Sequence, residues 1–177
     1  MGRRARTPFA VLGVLAKSNK SGYGINALFE TARYVFWNEA YGQIYPALKK
    51  LVGSEFAEHI SSVKGQGVGK KIYGLTDEGL DELKRWLRTQ ADPVTMRDEL
   101  VLRVSFGNHV NPAVTRGLLE SELERVDGML DELEQSNLDE LNEFERMAWN
   151  WSWMYLDERG VWIEECLAKL DELEAAD

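Results

Sequence analysis

Cysteine occurs once in the 177 residues, at Cys166, and histidine twice, at His59 and His109. A lone thiol has no intramolecular partner for a disulfide, and one thiol with two imidazoles falls short of the four ligands a structural zinc takes. The same scarcity leaves no nucleophile with a base beside it, and the many carboxylates are spread at helix-surface spacing. The sequence therefore implies no metal, no cofactor and no enzyme. No run approaches the roughly 18–20 apolar residues of a spanning helix, and residues 1–6 lead into structured sequence without a secretory apolar segment. A cytoplasmic protein with no membrane partner is the expectation. Internal repeats and low-complexity tracts are also lacking.

What is present is a core-forming apolar fraction of 44% and an uneven charge. Residues 1–75 hold eleven Lys and Arg against four Asp and Glu, a surplus of seven positive charges, whereas residues 76–177 hold ten against twenty-six, a surplus of sixteen negative ones. The net charge of −9 hides a basic front. Such a division points to a front that meets an anion and a rear that does something else; chance clustering on a solvated surface is the alternative.

Phe9, Val11, Leu12, Val14 and Leu15 predict a first helix buried on most sides. Ser21 is placed to cap a second, running to about Val35 with Ile25, Leu28 and Phe29 inward, and Asn38 to cap a third. Phe56 to Val63 and Lys71 to Leu75 read as two strands around the glycine loop of residues 65–69. Thr76 then caps a helix with Asp77 and Glu78 in its first turn, the sign the helix dipole favours there. Asp92-Pro93 marks a boundary. Beyond it lie a helix from Met96 to Phe106, one starting at Asn111-Pro112, and a last one from about Leu138 to Leu173. The expected architecture is mainly α: a winged helix-turn-helix of three helices and a β-hairpin wing over residues 1–91, and an all-helical domain over 92–177.

The third helix, YGQIYPALKKL, carries a proline at its centre. At about 100° per residue, Ile44, Leu48 and Leu51 share one side, while Gly42, Pro46 and Lys49 share the other, flanked by Gln43 and Lys50. Pro46 cannot donate to the carbonyl of Gly42, but both lie outward, where water or a ligand satisfies that carbonyl. An outward face of small and donor-bearing residues suits a nucleic-acid groove, where Gln and Lys reach base edges and phosphates and Gly permits close backbone approach. Lys64, Lys70 and Lys71 bracket the glycine loop and add a second basic element.

The order FAVLGVLA, SGYG, YGQIYPALKKL and KKIYGLTDEGLDELKRWL resembles the PadR family of transcriptional regulators. Gly22, Tyr23 and Gly24 match a motif opening helix 2 of that family; Gly42, Ile44, Tyr45, Pro46, Leu48 and Leu51 match its recognition helix; Tyr73, Leu75, Thr76 and Gly79 match the sequence closing its wing. Gly53-Ser-Glu-Phe56 departs from the pattern, which more often has an acidic residue and glycine there, and this opens the question of the turn geometry. The resemblance implies a homodimer that binds an inverted repeat in double-stranded DNA through helix 3 of each subunit, most often as a repressor. The residues expected at DNA are Tyr23, Asn38, Gly42, Gln43, Tyr45, Pro46, Lys49, Lys50, Lys64, Lys70 and Lys71, with packing as a second reading for both tyrosines. A winged module that binds protein instead of DNA is the competing reading, opposed by the lysines on the recognition face.

In the acidic rear, MRDELVLRVSF resembles the opening helix of the family's second domain. Leu119, Leu123, Val126, Leu130 and Leu133 form a seam with coiled-coil spacing, and Leu156, Ile163, Leu167 and Leu170 continue a second stripe from Trp149 and Trp153, in which Gly160 is expected to mark a close crossing. Both stripes are expected to dimerise. The segment WNWSWMYL reads as a helix apolar on two faces, Trp151 and Tyr155 lying opposite Trp149 and Trp153. Its tryptophans are core or interface residues on one reading and line an effector pocket on the other. The pocket residues on that second reading are Trp149, Trp153, Met154 and Trp162, and the family resemblance implies a small aromatic effector.

Overall fold

The computed structural model describes residues 6–37, 41–63 and 70–176, with the side chains of residues 41, 62, 63, 70 and 176 outside that description. The chain divides into two compact units, one of Met1–Glu30 with Trp37–Asp92, the other of Thr31–Phe36 with Pro93–Asp177. The short segment 31–36, expected with the winged domain, belongs to the helical unit.

In the first unit, α1 (Thr7–Leu15) buries Val11 and Leu12 completely, as its nearly continuous apolar sequence requires. A two-residue strand, β1 (Lys20–Ser21), follows and is a third strand that the sequence did not announce. Ser21 then caps α2 (Gly22–Phe29), accepting the Gly24 amide at 3.1 Å. The helix stops at Phe29 and not near Val35, because Thr31 is extended at ψ 153° and the next residues turn into a short 3-10 helix, Ala32–Tyr34. Helix α3 (Tyr41–Gly53) runs unbroken through Pro46 and packs Ile44, Ala47, Leu48 and Leu51 into the core with α1. Strands β2 (Ala57–Val63) and β3 (Lys70–Leu75) pair antiparallel with an irregularity between His59 and Ser61, and β1 joins the other side of β3, giving the order β1-β3-β2. Helix α4 (Asp77–Leu87) begins at Thr76, whose hydroxyl accepts the Gly79 amide at 3.0 Å. A Cβ on Gly79 would lie 1.9 Å from the carbonyl oxygen of Phe56, so only glycine lets α4 start against the end of that turn. Phe9 stacks on Trp86 at 4.9 Å between ring centroids and ties α1 to α4.

In the helical unit, α5 (Glu99–Ser105) starts three residues later than Met96, where Asp98 supplies the cap by accepting the Val101 amide. Asn111 caps α6 (Pro112–Glu134), with proline in its first turn. The last helix, α7 (Glu143–Ala176), starts at a capping box instead of at Leu138: Asn142 Oδ1 accepts the amides of Phe144 and Glu145, and Glu145 Oε2 accepts the Asn142 amide at 2.9 Å. Leu138–Glu140 form a short 3-10 turn before it.

The two apolar stripes meet each other within one chain. Leu119, Val126 and Leu133 of α6 are buried with Leu156 and Ile163 of α7, and Leu123, Leu130, Leu167 and Leu170 pack around them. The seam expected to join two protomers is thus the core of a single protomer. Gly160 is buried against Val126 and Leu123, but a Cβ there would meet them at 3.7 and 3.9 Å, so the α6/α7 crossing does not demand glycine.

Candidate functional site

The outer face of α3 includes Pro46, through which the helix runs unbroken. Ile44, Leu48 and Leu51 hold the inner side, and Gly42, Gln43, Tyr45, Pro46, Lys49 and Lys50 are exposed. The helix is thus fixed by its buried half and free to present donors on the other. The Tyr45 ring lies against Gly22, where a Cβ would come within 2.8 Å of Cε1, in line with its packing reading, and 45% of the residue is exposed. Tyr23 on α2 is 62% exposed. Lys71 is exposed on β3, Lys70 lies in the same strand, and Asn38 and Lys64 fall outside the described residues. The helix and the base of the hairpin belong to one unit, so the structure carries two basic elements on a single folded support.

The helical unit holds a cavity of about 500 Å³ lined by Met96, Asp98, Val101, Trp151, Met154, Tyr155, Glu158, Arg159 and Trp162. Of the four residues expected in an effector pocket, Met154 and Trp162 line it. Trp149 and Trp153 do not; they pack on the α6/α7 core. The sequence had placed Trp151 and Tyr155 on the opposite face without assigning them to a pocket. Their 4,3,4 spacing with Glu158 and Trp162 was the available signal, and on the helix it gathers all four along one groove. Trp151 stacks on Tyr155 at 5.4 Å with 4° between planes, and Phe36 meets Trp151 edge-on at 5.7 Å.

A set of ion pairs holds one side of this cavity. Arg159 donates from Nη1 to Asp98 at 2.5 Å and from Nε to Glu122 at 2.6 Å, with all three side chains at most 16% exposed. Burial works against the guanidinium charge, but the hydrogen bonds to Asp98 and Glu122 outweigh it and raise its pKa. The Arg159 hydrogen bond lowers the Asp98 carboxyl below its ordinary value, and Arg125, then Arg159, lower Glu122. Cys166 is half-buried, and burial, then the nearby Glu165 charge, pushes its thiol pKa up.

Three helices, a three-stranded sheet with a hairpin and a recognition-type helix exposed on one face define a winged helix-turn-helix protein with a helical second unit. Residues 11–85 match the transcriptional regulator PadR-like family, and residues 96–171 match the family described as virulence activator alpha C-term. The negative transcriptional regulator PadR of Bacillus subtilis is 36% identical over 129 residues, 72% of this chain and 71% of the relative. The chain belongs to the PadR-like family of transcriptional regulators. The crystal structure of Bacillus subtilis PadR in complex with operator DNA superposes with a TM-score of 0.75 at 28% identity, covering 96% of this chain and 99% of the other. The same protein in complex with p-coumaric acid gives 0.66 at 29% identity, covering 93% and 98%.

Proposed function

We propose that this chain is a DNA-binding repressor that acts as a homodimer on an inverted repeat and is released or retained by a small aromatic effector held in the cavity of the helical unit. The observation that carries the reading is the exposed face of α3, where Gln43, Lys49 and Lys50 project from a helix anchored by buried Ile44, Leu48 and Leu51. Gln43 reads a base edge; Lys49, Lys50, Lys71, Tyr23 and Tyr45 hold phosphates or groove walls; Gly42 and Pro46 allow close approach. Bacillus subtilis PadR has been crystallised with operator DNA and with p-coumaric acid, which supports both halves of the proposal. Since the α6/α7 seam is occupied within the protomer, the second copy covers other apolar side chains of the helical unit, of which Leu102, Phe106, Phe144 and Met147 are exposed. A twofold dimer of this kind places its two α3 helices about one DNA turn, roughly 34 Å, apart.

The test is a gel-shift titration with the DNA flanking the protein's own coding sequence, searched for an inverted repeat, together with sedimentation of the free protein. A dimer and a shifted complex are expected, with log K falling against log salt at a slope of about −5 if about six phosphates are neutralised. Lys49→Ala should make that slope shallower by about 1, whereas Gln43→Ala should relax the preference for the repeat over unrelated DNA. A flat salt dependence, or no shift at low salt, would refute the proposal.

A further inference from the structure

The charge on the cavity wall restricts its ligand further than the aromatic lining does. Arg159 is the one cation among the lining residues, and both edges of its guanidinium are taken, by Asp98 at 2.5 Å and Glu122 at 2.6 Å. A ligand carboxylate would have to displace one of them. The Val101 amide also fixes Asp98, and Arg125 at 2.7 Å also fixes Glu122, so both carboxylates are held in place beside Arg159. Glu158 lines the same cavity, is exposed, and has no hydrogen bond or ion pair among the described residues. The lining therefore presents two carboxylates against one guanidinium that is already neutralised. Trp151, Tyr155 and Trp162 add ring faces, which attract a cation lying within about 6 Å of a centroid.

We infer, resting on the reading of this cavity as the effector site, that its ligand is a planar aromatic body carrying a positive charge, and that the cavity discriminates against aromatic carboxylates of the same shape. The ring fills the groove between Trp151 and Trp162, and the ammonium is held by Glu158 and the neighbouring ring faces. The charge preference is the reverse of what p-coumaric acid, the ligand crystallised with Bacillus subtilis PadR, would require.

Isothermal titration of the full-length protein with three probes sharing one ring system, 2-naphthylmethylamine, 2-naphthylmethanol and 2-naphthoate, separates shape from charge. The amine should bind at least about tenfold more tightly than the naphthoate, with the alcohol between them. Glu158→Gln should reduce the amine's advantage over the alcohol to about threefold or less and leave the alcohol's own affinity within about twofold. Asp98→Asn keeps a capping side chain, releases one edge of Arg159, and should raise naphthoate affinity. Naphthoate binding as tightly as the amine, or an amine advantage untouched by Glu158→Gln, overturns the inference. If the alcohol binds saturably and the amine gains nothing, the effector cavity stands and the charge preference falls; if none of the three binds, both fall.

Discussion

Glu55 is the one non-glycine residue with positive φ among the described residues, at 59°. Its conformation closes α3: the Phe56 amide reaches the carbonyl of Leu51 at 2.9 Å and the Glu55 amide that of Val52 at 3.1 Å, the paired pattern of a Schellman end. The turn geometry left open by the missing glycine of the family pattern is thus reached anyway, with a side chain in place. The Glu55 carbonyl also accepts the Thr76 hydroxyl at 2.7 Å, so the end of α3 and the cap of α4 lock each other. A left-handed non-glycine residue costs about 1–2 kcal/mol, partly offset by glycine's greater freedom when unfolded. Glu55→Gly should therefore raise stability by about 0.5–1 kcal/mol, read as a higher urea midpoint with an unchanged slope. Arg159 is the opposite case, a residue whose removal leaves charges behind. Arg159→Met leaves Asp98 in its partly buried place without its partner and Glu122 with Arg125 alone, and should cost about 3 kcal/mol at neutral pH. Both carboxyls titrate below their ordinary values in the folded chain, so their contribution is complete above the unfolded pKa and is lost as pH falls through the depressed folded ones. The stability gap between the native protein and Arg159→Met should accordingly narrow below about pH 4, as denaturation curves at stepped pH would reveal.

At the scale of elements, α3 shows how a proline is kept inside a helix. Pro46 leaves the Gly42 carbonyl without its intrahelical donor, and both residues are exposed, so the usual penalty of about 3 kcal/mol is softened by solvent. Pro46→Ala should keep the fold with equal or higher thermal stability while shifting affinity for the inverted repeat; loss of folding with unaltered binding in the folded fraction would make the proline purely structural. The elements that sequence reading located well are those specified locally. The caps Ser21, Thr76 and Asn111 need only the next two or three residues, and each bonds the amide that its position implies. What was missed depends on distant partners. Strand β1 exists because Lys20 pairs with Tyr73, about fifty residues on. The α6 seam has the spacing of a coiled coil whichever helix covers it, and spacing alone does not say whether that helix lies in the same chain. Helix phase likewise separates Trp149 and Trp153 from Trp151 and Tyr155, but only the packing of α6 decides which face becomes core and which lines the cavity. The early starts assigned to α5 and α7 arose where apolar residues ran ahead of the capping side chains Asp98 and Asn142.

For the molecule as a whole, the informative segment is 31–36. In sequence it lies between α2 and α3, the two helices of the helix-turn-helix, yet it is built into the helical unit. Ala32 is fully buried in the α6/α7 core and its amide donates to Glu132 at 3.3 Å; the Arg33 carbonyl accepts the buried Ser152 hydroxyl at 3.0 Å; Phe36 contacts the cavity residue Trp151. The chain therefore leaves the winged unit, is fastened to α7 beside the cavity, and returns to begin α3. Under the proposed function, a ligand displacing Trp151 would act on a segment covalently continuous with α3, and Phe36 is the contact through which it would do so. Phe36→Ala removes the ring contact but not the Ala32 and Ser152 anchors, so the fold and the cavity should survive. The expected result is an effector affinity close to that of the native chain, together with a reduced ability of bound effector to change DNA affinity. Measuring DNA affinity with and without saturating ligand gives the coupling directly; a ratio unchanged from the native protein would show that the signal does not pass through Phe36.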